Sequence, residues 1–312
     1  TPAEAARRQP AEMPDLLYIL SPSYSGSTLL TFMLAAHPDI ATIGELKASA
    51  IRNVEAYRCS CGELIAQCGF WRQVERRMRT QNAVFSFRDF GTHFGRGSKH
   101  FKWLVSAEAR HPALRPLASL ALRAIPDYRE QLTGIIEQNR RLIRAITSIQ
   151  GGRVFLDGSK DPERLGQFLK PFAGKLNVVR LLRDGRGIAN SYMKHYQTSM
   201  DTAAREVVRT DRACDRVLAL VPADNALTIR YEDLCHDPLG TLRSVFKLAG
   251  IDPEPPARRS SVRDFHILGN SMRLEFGKPV ALDEKWRKEL DAADLAAFER
   301  IAGERNRRYG YA

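Results

Sequence analysis

The chain has 312 residues, enough for one large domain, and its hydrophobic fraction of 44% excludes a disordered polymer. Lys and Arg total 48 against 36 for Asp and Glu, so the net charge of +12 favours an anionic partner without specifying which kind. No stretch reaches the roughly 20 consecutive apolar residues that cross a bilayer, so no membrane segment is expected in this sequence.

The first predicted elements surround a loop of small residues. LLYIL at 16–20 is a short apolar strand, and the loop SPSYSGSTLL at 21–30 follows it. A helix is predicted over 27–36 and ends before Pro38, and IATIGEL is an extended segment that leads to Glu45. A strand, a small-residue loop and a helix in this order can place several main-chain N–H groups around an anion.

The second half of the sequence alternates strands and helices. Such alternation implies right-handed crossovers, and therefore a central, mostly parallel sheet flanked by helices, an α/β three-layer sandwich. The predicted strands are 153–159, 175–184 and 225–234, and the predicted helices are 161–172, 185–196, 238–249 and the Arg-rich final 25 or so residues.

The domain organisation is predicted to be simple. Residues 1–14 lack the apolar centre of a signal peptide and are expected to be a flexible lead-in, with a single domain over 15–312. Residues 47–150 are expected to form a mainly helical insertion that faces the acceptor, with a helical pattern over 112–150 that Pro126 interrupts.

Three of the five cysteines, Cys59, Cys61 and Cys68, lie close together in the pattern C-x-C-x6-C. A zinc site normally takes four ligands at wider spacing, and no histidine lies within this segment, so metal binding is not expected. A local disulfide, or buried thiols beside Phe70 and Trp71, is the expected arrangement, and the two alternatives stay open.

The loop at 21–30 has the residue types of a phosphate-binding loop but contains no lysine. Gly26 allows close approach of the backbone to a phosphate, and the hydroxyls of Ser25, Ser27 and Thr28 can donate to its oxygens. A nucleoside-triphosphate loop would carry a lysine here. We therefore predict that the loop binds a smaller group, such as one phosphate with one transferable group. The cations that stabilise this group are expected to come from distant segments.

A second anion site is predicted in RLLRDGRGIANS. Arg183 ends a strand and Ser191 lies eight residues later on the next helix, so that both can converge on one phosphate. The alternative is a strand-terminal salt bridge between Arg183 and Asp184 beside an ordinary helix serine. The phosphate interpretation is favoured because the first loop accompanies it.

Several collinear motifs together resemble the sulfotransferases that use 3′-phosphoadenosine-5′-phosphosulfate (PAPS), especially the tyrosylprotein and bacterial carbohydrate-type branches. The similar segments cover about 16–45 and 154–286. They are SGSTLLTFMLAAHPDIATIGE, SKDP (159–162), RDGRGIANS, IRYEDLCHDP, HILGNSMR (266–273) and EKW (284–286).

The resemblance implies a P-loop-like fold, PAPS as the donor, and the bisphosphate PAP (3′,5′-ADP) as its product. The loop would hold the 5′-phosphosulfate, and Arg183 and Ser191 the 3′-phosphate. The family usually has Arg or Lys where this chain has Tyr24, which would act here as a hydrogen-bond donor. The resemblance adds three further nucleotide-binding residues, namely Tyr231, Arg273 and Lys285.

The implied catalytic residues are Glu45 and Lys160. Glu45 would act as the general base toward the acceptor, and Lys160 would stabilise the departing 5′-phosphate. No metal is expected, because a sulfuryl group carries less charge than a phosphoryl group. His37 is expected to be structural, and His266 to help place the nucleotide-closing segment.

The acceptor is not specified by the sequence. A carbohydrate, a peptide tyrosine, a lipid or a small hydroxylated molecule all suit the resemblance, and no nucleic-acid module is recognised. The expected location is the bacterial cytoplasm, with an upstream anchor left open. The alternatives are a P-loop kinase-like protein, and a non-catalytic protein that binds PAP or a polyanion on a degenerate sulfotransferase fold.

Overall fold

A computed structural model provides the fold. Three predictions lie wholly or partly outside the residues that it describes, namely those for the lead-in up to residue 12, the helical pattern over 112–125, and Arg273. The described residues are 13–47, 51, 53–94, 126–254, 264–269, 274 and 280–311.

The centre of the molecule is a five-stranded sheet in the order β2-β3-β1-β4-β5, and every pairing in it is parallel. The middle strand β1 is buried on both faces, as expected for a parallel sheet covered by helices. The predicted α/β fold is therefore confirmed. The strands are β1 (Asp15–Leu20), β2 (Ile40–Thr42), β3 (Val154–Lys160), β4 (Leu176–Leu182) and β5 (Ala226–Arg230).

Helices connect the strands and cover both faces of the sheet. None of the described helices is both long enough and apolar enough to span a bilayer. The helices are α1 (Ser27–Ala35), α2 (Gly69–Thr80), α3 (Pro126–Gln150), α4 (Pro162–Phe168), α5 (Gly185–Tyr196), α6 (Met200–Leu218), α7 (Tyr231–His236), α8 (Pro238–Leu248), α9 (Trp286–Glu289), α10 (Ala292–Phe298) and, after a π-helical turn at Glu299–Gly303, α11 (Glu304–Arg308).

One predicted element differs from the structure, and one helix was not predicted. The strand predicted over 225–234 is wrong in its second half, because β5 ends at Arg230 and the main chain turns directly into α7. Helix α6 was not predicted, although Ser199 caps it and its buried residues recur at helical spacing.

The three layers follow from the alternation of side chains along β1. Leu16, Tyr18 and Leu20 pack in one core that includes residues of α2 and α3. Leu17 and Ile19 pack in a second core on the opposite face, with residues of α1 and α8. Helices thus cover each face of the sheet, which leaves the ends of its strands for binding.

The insertion is joined to the sheet through a buried arginine. Arg164 of α4 donates from Nε to Asp157 of β3 at 2.9 Å, and both side chains are almost fully buried. Its two other nitrogens donate to the carbonyl oxygen of Thr92 and to Asn139 of α3. This arginine therefore fixes the inner wall of the insertion against the strand that carries Lys160.

Candidate active site

The carboxyl ends of all five strands lie at one edge of the sheet, because the strands are parallel. Ligands of open α/β sheets bind at this edge. Each strand brings one predicted site residue or segment there, so the fold collects residues that are far apart in the chain. These are Glu45 after β2, Lys160 at the end of β3, the loop at 21–26 after β1, Arg183 after β4, and Tyr231 after β5.

The loop after β1 is closed by a glycine in the left-handed region. Gly26 has φ +84° and precedes the first turn of α1, and its carbonyl accepts from Leu30 N at 3.1 Å. The first main-chain N–H groups of α1 are left free of helical partners, as at any helix start, and the helix dipole makes this end attractive to anions. Ser27 and Thr28 belong to this first turn.

Ser25 has a different role from the one predicted. Its side chain is buried, and its hydroxyl donates to Pro22 O at 2.9 Å within the loop. This bond shapes the loop and uses the hydroxyl hydrogen that the prediction assigned to a phosphate.

Tyr231 packs directly against the loop. A Cβ atom on Gly26 would lie only 2.3 Å from Cδ2 of Tyr231, so the ring occupies the space that any other residue at 26 would need. Burial is the largest cause that raises the pKa of Tyr231, to about 12, so the hydroxyl is protonated at neutral pH. It donates to Ala281 O at 3.4 Å and accepts from Asp283 N at 3.2 Å.

Arg183 links the loop to Tyr231 and to the segment before α9. Its guanidinium lies over the ring of Tyr231, 4.5 Å from the ring centre, and its Nη1 donates to Tyr24 O at 2.8 Å. Its Nη2 donates to Asp283, at 2.8 Å to the carbonyl oxygen and 3.2 Å to Oδ2. The side chain is 7% exposed, so this cation is held in a fixed position.

The alternative salt bridge between Arg183 and Asp184 is not the arrangement in the structure. Asp184 caps α5 and pairs with Arg186 at 2.6 Å, whereas the ion-pair partner of Arg183 is Asp283. Asp283 was not identified from the sequence, and its position one residue before the EKW motif was the only available signal. Burial opposes its ionisation, but the amide of Lys285 and the charge of Arg183 lower the pKa of Asp283 overall.

Ser191 and Arg183 each contact Gly187. The hydroxyl of Ser191 donates to Gly187 O at 3.0 Å, four residues back along its own helix, and a Cβ on Gly187 would lie 3.2 Å from Nε and Nη2 of Arg183. Both side chains therefore lie near the first turn of α5. Lys285 lies nearby in the chain segment that Asp283 anchors, and its amide donates to Asp283 Oδ1 at 3.3 Å.

Glu45 and Lys160 form an ion pair between Oε1 and Nζ, and their side chains are 25% and 15% exposed. Lys160 has φ +65°. In the parallel register it is paired with Leu20, the last residue of β1, after which the loop begins. Gly269 lies against Glu45, since a Cβ there would be 3.0 Å from Oε1. The predicted base and the predicted cation thus share one half-buried location.

Tyr24 has a neutral side chain at the loop position where the resemblance implied a cation. It has φ +66°, and its ring lies 5.8 Å from the ring of His195 and 6.3 Å from that of Tyr192. Burial, followed by the neighbouring Tyr196, raises the pKa of Tyr24, so its hydroxyl remains protonated. The loop itself has no Lys or Arg, and its flanking cations are Lys160 on β3 and Arg183 after β4, the two neighbours of β1.

His37 is structural, in agreement with the prediction. It is 2% exposed, its Nε2 is 2.8 Å from Asp252 O, and its Nδ1 accepts from Asp39 N at 3.0 Å. Both ring nitrogens are engaged at the end of α1, away from the carboxyl edge of the sheet.

Comparisons with known proteins show the family and agree with the fold. The model of the sulfotransferase family matches residues 17–255. Among solved structures, the sulfotransferase domain of the Synechococcus PCC 7002 olefin synthase has a TM-score of 0.55 and 18% identity, with 98% of each chain covered. The sulfotransferase domain from the curacin biosynthetic pathway has a TM-score of 0.52 and 18% identity, over 94% of this chain and 98% of that chain. A comparison with curated proteins gave no significant match.

Proposed function

Because the chain belongs to the sulfotransferase family, we propose that it transfers a sulfuryl group from PAPS to a hydroxyl or amine of an acceptor and releases PAP. The observation that supports this proposal is that two segments suited to binding anions follow adjacent strands. The loop at Gly26 follows β1 and Arg183 follows β4, and Tyr231 contacts both residues. One bisphosphorylated nucleotide can occupy both sites at once.

The 5′-phosphosulfate would bind at the start of α1. The free N–H groups of its first turn and the hydroxyls of Ser27 and Thr28 are the donors, and the helix dipole supplies a partial positive charge. Tyr24 adds a neutral hydroxyl where related enzymes carry a cation. Lys160, next to the loop in the parallel register, supplies the full positive charge.

The 3′-phosphate would bind near the first turn of α5, where Arg183 and Ser191 each contact Gly187. A guanidinium with several donors suits a phosphate, and the contact with Tyr231 keeps it oriented. Lys285 would contribute a second cation from the segment that Asp283 anchors. Asp283 neutralises Arg183 in the free protein. The phosphate would therefore either bind Arg183 together with that carboxylate or displace the carboxylate from Arg183.

The chemical step in this proposal is an in-line displacement at sulfur. The acceptor oxygen or nitrogen forms a bond to sulfur while the bond from sulfur to the bridging phosphate oxygen breaks. Glu45 takes the acceptor proton, and Lys160 stabilises the negative charge that develops on the departing 5′-phosphate. The ion pair between these two residues places base and cation beside the loop before the donor arrives.

A transfer assay tests the proposal. PAPS labelled with ³⁵S is incubated with the protein and with separate carbohydrate, tyrosyl-peptide, lipid and small-phenol acceptors, without added divalent metal. We expect label on one acceptor class, and stabilisation of the protein against heat by 3′,5′-ADP.

Three outcomes would contradict the proposal. Stabilisation by ATP and Mg²⁺ in place of 3′,5′-ADP would indicate a kinase-like protein. Salt-sensitive binding of polyanions that 3′,5′-ADP does not affect would indicate a polyanion-binding protein. Binding of 3′,5′-ADP without transfer to any acceptor class would indicate a non-catalytic member of the family.

A further inference from the structure

A group of metal-ligating side chains lies outside the proposed nucleotide site. The group, called here the Cys3His cluster, consists of Cys59, Cys61, Cys68 and His266. Their three sulfur atoms and one ring nitrogen all lie within 4.8 Å of one another. We propose that the Cys3His cluster binds one structural zinc ion, with three thiolates and Nδ1 of the histidine as its four ligands.

The distances within the cluster fit a tetrahedral metal site. Zinc bonds of about 2.3 Å to sulfur and about 2.0 Å to nitrogen put two sulfur ligands about 3.8 Å apart, and sulfur and nitrogen about 3.5 Å apart. The Sγ atoms of Cys61 and Cys68 are 3.7 Å apart. Nδ1 of His266 is 3.5 Å from Cys59 Sγ and 3.4 Å from Cys68 Sγ.

The main chain around the cysteines is held by its own hydrogen bonds. Cys59 N donates to Glu63 O at 2.8 Å, and Cys68 N donates to Leu64 O at 2.9 Å. Gly62, with φ +92°, closes a tight turn in which its amide donates to Cys59 O at 2.9 Å. These bonds fix the main chain that carries the three sulfur atoms.

The histidine is positioned by the same turn. The hydroxyl of Ser60, which lies between the first two cysteines, donates to Phe265 O at 2.7 Å and accepts from Ile267 N at 2.8 Å. It thus holds the main chain on both sides of His266. The imidazole ring stacks on Phe70, with 4.4 Å between centres and 3° between planes, so its orientation is fixed as well.

The choice of zinc follows from the donor set. Three thiolates and one imidazole in a closed tetrahedron are typical of structural zinc sites, in which no position remains for water or substrate. Cys59 and Cys68 are fully buried, and Cys61 and His266 are partly buried. The sequence alone argued against a metal because it considered only ligands within the cysteine segment, whereas the histidine lies 198 residues after Cys68.

The site would join the insertion to the segment that contacts the proposed base. Two residues after the histidine, Leu268 donates to Ile43 O at 2.7 Å, and Gly269 lies against Glu45. Gly269 N also donates to the hydroxyl of Tyr57 in the insertion, at 3.2 Å. Zinc would therefore act as a positioning group for the wall behind Glu45, with no part in the chemical step.

Metal content of the purified protein tests the proposal. Tag-free protein from zinc-supplemented cells is dialysed and its zinc is measured by mass spectrometry of the elements. We expect about one zinc per chain, which falls by more than five-fold in Cys59→Ser and His266→Ala. The matched control is Cys235→Ala, since Cys235 is also partly buried but lies outside the cluster, and it should keep the full stoichiometry.

A second measurement covers the case in which these variants fail to fold. Wild-type protein in which Co²⁺ replaces zinc should show thiolate-to-cobalt charge-transfer bands and the intense visible bands of a tetrahedral complex. Its cluster thiols should be reduced when counted under denaturing conditions. Wild-type protein without stoichiometric zinc, octahedral cobalt bands, or a disulfide between Cys61 and Cys68 would overturn the proposal. None of these outcomes depends on sulfuryl transfer.

Discussion

Glu45 and Lys160 form a pair whose two members would have different roles in the proposed reaction: the carboxylate would accept a proton, and the ammonium would stabilise the departing phosphate. Glu45 is 25% exposed, which leaves a path to an acceptor, while Lys160 is 15% exposed and lies beside the loop. Binding of the donor would draw the lysine toward phosphate and free the carboxylate to accept a proton.

Replacement of the base tests this interpretation. Glu45→Gln keeps the shape of the side chain but removes its basicity, so we expect the rate of sulfuryl transfer to fall by about 10²–10⁴-fold. Affinity for 3′,5′-ADP should stay close to that of the wild type. Steady-state kinetics and calorimetric titration measure the two quantities.

The matched control is Glu55→Gln, because Glu55 lies ten residues further along the chain, in the insertion, with 70% of its side chain exposed. It should transfer sulfate at the wild-type rate. Glu45→Gln protein that also works at the wild-type rate would remove Glu45 from the mechanism.

Gly26 is predicted to be required for a steric reason. Gly26→Ala places a methyl group in the ring of Tyr231 and also forces an L-residue to φ +84°. Gly174→Ala is a matched control, since Gly174 has φ +78° and open space at its Cβ position. The control should lose only the backbone cost, about 1–2 kcal/mol of unfolding free energy.

Gly26→Ala should lose more stability than the control and should lose measurable binding of 3′,5′-ADP. Chemical denaturation and titration calorimetry provide the comparison. Equal stability of the two variants, with nucleotide binding intact in both, would show that the contact between Tyr231 and the loop does not constrain the site.

The sequence predicted the residues whose role is set by local pattern. Gly26, Arg183 and Ser191 follow apolar strands, and strand ends in a parallel sheet lie together. Asp283 could not be predicted, because its contact with Arg183 joins segments 100 residues apart. His266 was predicted only as a positioning residue, because nothing in the sequence around it indicates that three cysteines lie beside it in the fold.

At the scale of elements, the strands were predictable and some helices were not. Buried parallel strands appear as short apolar runs, and all five strands coincide with predicted extended segments. The end of β5 was missed because RYEDL has no turn residue between strand and helix. Helix α6 is rich in small and charged residues, and its buried face combines Met200, Ala203, Ala204, Cys214 and Val217 with the charged Asp211.

The cap of α4 gives a prediction about pH. Asp161 accepts from Glu163 N and Arg164 N and pairs with Lys47. Burial alone would raise its pKa, but the charge of Lys47 and these amides lower the pKa of Asp161 below its ordinary value of 3.8. Because the folded pKa is the lower one, the ionised group stabilises the fold above pH 3.8, and this stabilisation is lost as the pH falls through the folded value.

Asp161→Asn retains a cap acceptor and removes the charge, so the effect of the charge alone is measured. We expect about 1 kcal/mol less unfolding free energy at neutral pH, because Lys47 is partly exposed and solvent weakens the pair. The difference from wild type should disappear in acid. Urea denaturation from neutral to acid pH measures it, and a loss that persists unchanged in a Lys47→Met background would contradict the assignment.

The buried arginine on α4 gives a prediction at the scale of the whole molecule. Arg164 joins β3 to the insertion through Asp157, Thr92 and Asn139. Arg164→Met leaves a buried carboxylate without its partner, so we expect a loss of about 3–5 kcal/mol in unfolding free energy. Arg141→Met, on the partly exposed face of α3, should change it by less than about 0.5 kcal/mol.

Equal losses in these two variants, measured by denaturant unfolding, would mean that Arg164 does not hold the insertion. The insertion matters for the whole molecule because it carries the three cysteines and the wall near Glu45, while the sheet carries the proposed nucleotide site. The sequence predicted these two parts, but not the contacts between them, which connect residues that are far apart in the chain.

The proposed active site as a whole depends on one nucleotide reaching two strands. The net charge of +12 draws anions to the protein in general, whereas in this proposal the loop at Gly26 and the guanidinium of Arg183 would specify where each phosphate binds. The most direct measurement is a crystal structure of the complex with 3′,5′-ADP. The account predicts the 5′-phosphate on the first amides of α1 and the 3′-phosphate on Arg183, and a nucleotide bound with either position vacant would contradict it.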